Sequence, residues 1–188
     1  MGKAKQRIFL LFKCFCSRDI SLLIRAYKSY ILPILDYCSP VWSPSKLYDI
    51  DLLESVQRYF TKRLFGLWDV PYETRLARCG LCSLELRRLR TDVSLCYQII
   101  NGLVALNLKK NFEPSPNRIT RGNKQKLVLP KTRLATRSNF FACRVVPVWN
   151  SLPNDVILSS SYSSFKSQLE RVDLSVHLKR SLDSENIT

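Results

Sequence analysis

The sequence predicts a mainly helical fold: a helical bundle that carries a basic loop or short β-hairpin and ends in a C-terminal helical lobe. Three observations predict it. Apolar residues recur at three- and four-residue spacing through most of the chain, the spacing that gathers them on one face of a helix. Hydrophobic residues fill 46% of the 188 positions and aromatic residues 11%, enough for one sizeable domain or two small lobes with cores of their own. Between positions 114 and 153 the pattern breaks, with no Asp or Glu, frequent turn formers and eight cations.

Taken in order, residues 3–16 alternate basic and apolar faces at helical spacing. Ser17 or Asp19 can cap the next helix, which runs through Leu22, Leu23, Ala26, Tyr27, Tyr30 and Ile34. Pro33 has no amide to donate and its ring crowds the preceding turn, so that helix kinks or ends there. Ser39-Pro40 and Ser43-Pro44 make a turn-rich link around Trp42, which is expected as a wedge between helices. Over 49–64, Leu52, Leu53, Val56, Phe60 and Leu64 share one side while Arg58 and Lys62 project from the other. Glu54 is placed to pair with Arg58 one turn later, and Asp49 and Asp51 suit the positive end of the helix dipole.

After a turn at 66–71, a short helical stretch reaches Arg78. A longer helix over 83–101 then gathers Leu86, Leu89, Val93, Cys96, Tyr97 and Ile100 on one face and ends at Asn101-Gly102. Arg87 falls opposite that stripe, where it is expected to meet solvent or phosphate.

The composition changes at Asn107. Arg118, Arg121, Lys124, Lys126, Lys131, Arg133, Arg137 and Arg144 occupy the acid-free stretch, over half of the chain's net charge of +15. Gly122-Asn123 is a turn cue, and short extended segments at 127–129 and 133–136 around Pro130 are expected to form a basic hairpin or loop. Ser138 can cap a helix containing Phe140, Phe141, Val145, Val148 and Trp149, stopped at Pro153. A Ser-rich linker at 159–164, an amphipathic helix over 165–172 and a fraying polar tail complete the chain. The expected division is a helical lobe at 1–105, a basic loop or hairpin at 106–137, a C-terminal helical segment at 138–172 and a flexible tail at 173–188.

Thirty Lys and Arg against fifteen Asp and Glu create a field that favours polyanionic partners, nucleic acid first among them. No apolar run approaches the roughly 18 to 20 residues of a membrane span, because the run from Ile8 to Phe12 is interrupted at Lys13. No small-residue cleavage site follows that run, so a signal peptide is not expected there. No membrane partner and an intracellular setting are therefore expected. Seven cysteines set in apolar stripes suit a reducing compartment. Cys79-Gly80-Leu81-Cys82 has the spacing of half a zinc knuckle, but Cys14-Phe15-Cys16 cannot supply the other half and His177 is the single histidine. Two packing cysteines around a turn at Gly80 explain the motif, and no metal ligand is assigned.

No catalytic site is legible. Polymerases and many nucleases gather carboxylates around divalent ions, and Tyr48-Asp49-Ile50-Asp51 only imitates that arrangement, because its acids are not adjacent and open a helix. A serine or cysteine nucleophile would have to rely on His177, in a region without an evident scaffold. Phosphate-binding glycine loops are absent, the five glycines being scattered singly. Cations interleaved with aromatics, as in Arg58-Tyr59-Phe60-Thr61-Lys62 and Arg137-Ser138-Asn139-Phe140-Phe141, could hold phosphates. Phe60, Phe140 and Phe141 match helical stripes and read as packing, which leaves the arginines and lysines as the contacts.

Several blocks together resemble a known family. The run from Tyr30-Ile31-Leu32-Pro33-Ile34-Leu35-Asp36-Tyr37 through Cys38-Ser39-Pro40-Val41-Trp42 is similar to the segment after the palm in reverse transcriptases of non-LTR retrotransposons, especially jockey-like elements. Asp51-Leu52-Leu53-Glu54-Ser55-Val56-Gln57-Arg58 with Thr61-Lys62-Arg63, then Leu84-Glu85-Leu86-Arg87-Arg88-Leu89-Arg90, follow in the same order. Phe140-Phe141-Ala142-Cys143-Arg144-Val145-Val146 and Trp149-Asn150-Ser151-Leu152-Pro153 complete the match, which covers roughly 5–169.

The resemblance implies a thumb and post-thumb region that helps grip template and primer during target-primed reverse transcription, in the nucleus and cytoplasm. It carries Arg58, Lys62, Arg63, Arg87, Arg88 and Arg90 over as grip residues. The acid-free stretch adds Arg121, Lys124, Lys126, Lys131, Arg133 and Arg137. RNA, DNA or their hybrid is the expected partner, with the polymerase domain as a further one in trans; the oligomeric state is left open. Fingers, palm with its aspartate pair and the upstream endonuclease are missing from these residues, so the chain is expected to be a non-catalytic fragment, with a divalent metal belonging only to the palm. Two rivals remain. A protein-interaction adaptor would use Tyr30, Ile34 and Trp42 as anchors, and a metal-dependent nuclease would need Asp49, Asp51 and Glu54.

Overall fold

The computed structural model describes residues 2–105, 112–116 and 125–180. The chain is mainly helical, and it divides into one compact unit of Met1–Arg87 with Lys179–Thr188 and a second of Arg88–Leu178. The division thus falls inside a long helix rather than near position 105. The segment expected to stand alone at 138–172 shares a unit with most of that helix, and Lys179 and Arg180, expected in a flexible tail, belong to the first unit.

In the first unit α1 (Gly2–Cys14), α2 (Ile20–Tyr30) and α5 (Leu47–Lys62) bury a common core around Ile8, Leu23, Tyr27, Val56 and Phe60. Tyr27 stacks on Phe60 with ring centroids 4.3 Å apart. Full burial of Phe60 stabilises the unit by roughly 1.5–3 kcal/mol. Asp19 caps α2, its carboxylate accepting from the Ser21 amide at 2.9 Å and the Ser21 hydroxyl at 2.9 Å, and these bonds lower its pKa. Pro33 does divide the second helical pattern: α2 stops at Tyr30 and α3 (Leu32–Asp36) restarts with the proline in its first turn. Cys38, at a φ of 52°, leads into α4 (Ser39–Trp42). Trp42 is a partial correction to the expected wedge: it is 39% exposed, and its indole donates to the Tyr37 carbonyl at 2.6 Å.

The polar interior of this unit organises the next helices, α6 (Tyr72–Cys79) and α7 (Leu84–Ile100). Gln57, one turn after Glu54 on α5, accepts from the buried Tyr27 hydroxyl at 3.1 Å and donates to the Cys82 carbonyl at 2.9 Å and the Tyr72 oxygen at 3.1 Å. Tyr72 in turn donates to Glu54, whose carboxylate also accepts from the Leu84 amide that opens α7. Burial, and the nearby Glu54 charge, push the Tyr27 and Tyr72 hydroxyls far above the usual phenol range, so both act as neutral donors. Glu54, expected to face Arg58 one turn later, is buried and also takes donors from two other elements, the Tyr72 hydroxyl and the Leu84 amide. Gly80, at a φ of 57°, caps α6, and Cys79 beside it packs in the core.

In the second unit α7 continues to Ile100 and ends where Gly102 takes a φ of 68°. Its Tyr97 ring stacks on Phe165 of α11 (Tyr162–Leu169) at 4.1 Å, and Phe165 lies 6.2 Å from Trp149 of α9 (Phe141–Ser151). Between α9 and α11 lies α10 (Asn154–Ile157), which starts immediately after Pro153. Ser161 caps α11 from within the expected Ser-rich linker, its hydroxyl accepting from the Ser164 amide at 3.2 Å. Asp92 on α7 holds Arg144 of α9 in a two-point ion pair at 2.7 and 3.2 Å.

The expected hairpin is corrected in its pairing. Segments 113–115 and 126–128 meet as a single antiparallel bridge, Ser115 donating to the Lys126 carbonyl and Val128 to the Glu113 carbonyl, both at 2.8 Å. Residues 133–136 do not pair with 127–129, because Ala135–Ser138 closes into a helical turn, α8. Ser138 ends α8, and α9 begins after Phe140 instead. The turn around Gly122 lies outside the described residues. A 3-10 turn at Ser175–His177 leads to Lys179 and Arg180, whose amides bond to Glu85 at 2.9 and 3.3 Å within the first unit.

Candidate nucleic-acid interface

The sequence-predicted cations fall into two groups. Four are held by the fold. Arg58 lies over the Tyr72 ring at 4.9 Å, half-buried. Arg87 is exposed, as expected, and forms an ion pair with Asp36 at 2.5 Å. Arg88 is 2% exposed, and its charge is one of those that stabilise the ionised form of Asp92. Arg90 donates to the Glu170 carbonyl at 3.0 Å. Helical periodicity placed Arg58 and Arg87 off the apolar stripe but could not show which neighbours each of these four arginines would meet.

The second group faces solvent. Lys62 and Arg63 are exposed at the end of α5, and Lys131, Arg133 and Arg137 are exposed along the acid-free stretch; Lys126 is half-buried. Arg121 and Lys124 lie outside the described residues. Lys62 in the last turn and Arg63 at the C-cap of α5 suit the negative end of the helix dipole. Arg63 is further fixed by aromatic faces, with its guanidinium 4.7 Å from the Tyr59 centroid and 5.7 Å from that of Phe12.

Arg63 also borders a cleft of about 480 Å³ in the first unit, formed where the end of α1 and its turn into α2 meet the chain leaving α5. Phe12, Phe15 and Leu23 give it apolar surface, Lys13, Arg18 and Arg63 give it positive charge, and Cys16, Ser17 and Phe65 complete the lining. None of these nine residues is acidic. Phe65 is 69% exposed, a large ring that the core does not use. Such a cleft offers phosphate contacts beside an aromatic face.

No known protein family matches the chain, and no solved structure matches it. Over 95 residues it is 27% identical to uncharacterized protein B0403.1 of Caenorhabditis elegans, a stretch that is 49% of this chain and 48% of that protein. The chain thus spans about half the length of this relative.

Sequence reasoning overlooked the cleft. Its signal was the run Phe12-Lys13-Cys14-Phe15-Cys16-Ser17-Arg18, which interleaves rings and cations as the stretch at 58–62 does, but which read as the end of an amphipathic helix. Arg63 and Phe65 join it only through the packing of α1 on α5.

The residues of the rival readings have other engagements. Glu54 is committed to Tyr72 and Leu84, and Asp51 forms an ion pair with Arg180. Asp49 lies in the first turn of α5 and lines a second cleft, of about 460 Å³, with Trp42 and Leu52. The Ser151 hydroxyl donates to the Val148 carbonyl at 2.7 Å and lies 2.9 Å from His177 Nε2. Among the described residues no His, Cys, Asp and Glu group could hold a metal ion, and no helix is long and apolar enough to cross a membrane.

Proposed function

We propose that this chain is a thumb and post-thumb segment of a non-LTR retrotransposon reverse transcriptase, of the jockey-like kind, that binds RNA, DNA or their hybrid through its charge and performs no chemistry of its own. The observation that carries the reading is the exposure of Lys131, Arg133 and Arg137 in a stretch without a single carboxylate, added to Lys62 and Arg63 at the end of α5. Cations without acidic neighbours in sequence are disposed to neutralise phosphates and release their counterions. Arg58, Arg87, Arg88 and Arg90 then serve the grip indirectly, by holding the helices that present the others. A divalent metal would act in the palm of a longer protein, and that polymerase domain is a further partner in trans, in nucleus and cytoplasm.

The test is binding of the folded chain to a primer–template hybrid, duplex DNA and single-stranded RNA across a salt series. A steep fall in affinity with salt is expected, and replacing Lys131, Arg133 and Arg137 together by Gln should shallow the log–log slope by about 2 to 3. Folded protein that binds none of the three at low salt would overturn the reading. A second reading, docking onto another protein, draws on the exposure of Tyr30, Tyr37 and Tyr48 and on the surface of Trp42; weak salt dependence together with loss of partner binding on Trp42→Ala would favour it.

A further inference from the structure

We infer that the cleft between the α1–α2 turn and the end of α5 holds an unpaired nucleotide of a single strand, with phosphate on Lys13, Arg18 and Arg63 and the base on the face of Phe65. The inference rests on the nucleic-acid reading and narrows it to a site and a strand type. Three features converge. Three cations and no carboxylate line the cleft, so an anion entering it meets attraction from several sides. Arg63 is held by the faces of Tyr59 and Phe12, which reduces the side-chain freedom lost when it takes up a phosphate. Phe65 stands largely exposed in the short stretch between α5 and α6, beside apolar surface from Phe12 and Phe15.

The geometry discriminates between strands. A duplex buries its base faces in the stack and offers a protein only edges and backbone, so a ring such as Phe65 gains nothing from it beyond the phosphates. An unpaired base presents its whole face, and stacking on an aromatic side chain changes affinity by about 5- to 150-fold per base. The cleft volume of about 480 Å³ lies in the range of sites that enclose small molecules, roughly 300–1,000 Å³. A strand nucleotide's combination of a flat base and an anionic phosphodiester suits a lining that mixes phenylalanine with lysine and arginine.

The test uses the full chain, a ten-residue uridine oligomer and a blunt RNA duplex of equal charge. At one salt concentration the oligomer is expected to bind more tightly than the duplex, and Phe65→Ala to weaken oligomer binding at least 5-fold while duplex binding stays the same. Phe65→Trp should restore it, with circular dichroism unchanged throughout. Cys16, which lines the cleft, gives an independent readout without any variant: saturating oligomer should slow its alkylation by N-ethylmaleimide, while the exposed Cys38 outside the lining reacts as before. Equal oligomer and duplex binding with an inert Phe65→Ala and an unprotected Cys16 would sink the cleft assignment while leaving the electrostatic grip standing. Absence of binding to both nucleic acids would remove the grip and the cleft together. Displacement of the oligomer by equimolar AMP would reassign the cleft to a free nucleotide, and Phe65-dependent binding to phosphatidylserine vesicles in place of the oligomer would reassign it to a membrane surface; either overturns the inference.

Discussion

The Glu54 carboxylate, on α5, caps the helix that begins at Leu84: its two oxygens lie 3.0 and 3.2 Å from the Leu84 amide. A helix start normally needs a nearby Ser, Thr, Asp or Asn to satisfy its first amides. Ser83 is such a residue, its hydroxyl accepting from the Leu86 amide at 3.2 Å; the Leu84 amide takes its acceptor from thirty residues upstream, a buried carboxylate whose charge suits the positive end of the helix dipole.

Glu54→Ala should accordingly cost about 2–4 kcal/mol, because it strands the buried Tyr72 hydroxyl as well as the Leu84 amide. Glu54→Gln keeps one acceptor and should cost less. Urea denaturation followed by circular dichroism measures both; a loss below about 0.5 kcal/mol for Glu54→Ala would mean that the cap is dispensable.

Asp92 and Arg144 give a pH signature. Burial raises the Asp92 pKa above its ordinary value, against the pull of its hydrogen bond and ion pair with Arg144. A carboxyl whose pKa is higher folded than unfolded binds protons more tightly in the folded state, so its stabilising contribution is complete below the unfolded value and is lost as pH rises through the folded one. Wild type minus Asp92→Asn stability should therefore shrink as pH is raised upward from about 4. A difference that grows over that range would contradict the assignment.

Asn150 holds the basic segment in place as a strand partner would. Its side-chain oxygen accepts from the Leu127 amide at 2.8 Å and its nitrogen donates to the Leu127 carbonyl at 2.9 Å. Asn150→Ala should destabilise the second unit by about 1–3 kcal/mol. It should also speed hydrogen exchange at Leu127 far more than at Val93, which lies in the core; equal effects at both amides would count against a local clamp.

Covered and exposed arginines should part company under mutation. Replacing Lys62, Lys131 or Arg137 by Gln should lower the salt slope of nucleic-acid binding by about 0.7–0.9 each with stability unchanged. Replacing the buried Arg88 by Gln should leave the slope alone and lower stability, since it leaves the Asp92 carboxylate with less opposing charge. A slope change for Arg88→Gln on folded protein would refute this division.

Cysteine reactivity reports the same burial. Cys96 is buried beside Asp92, and both effects push its thiol well above the usual range; burial raises Cys79 as well. Alkylation of the native chain should mark Cys14, Cys16 and Cys38 within minutes and leave Cys79 and Cys96 for the denatured state.

What the sequence determined by itself was local. Three- and four-residue spacing identifies a helix because the period of the backbone alone decides which side chains share a face, and Pro33, Gly80 and Asn101-Gly102 end helices through their own backbone chemistry. The acid-free stretch and its charge were equally plain. The partners of polar side chains were decided by tertiary structure: Glu54 met Tyr72 and Leu84, Arg87 met Asp36, and Arg88 was covered. The cleft arose where residues 12–18 come beside Arg63 and Phe65. Periodicity says which face of a helix is apolar, but the neighbours of its polar face depend on how helices cross, and that is set by packing between residues dozens of positions apart.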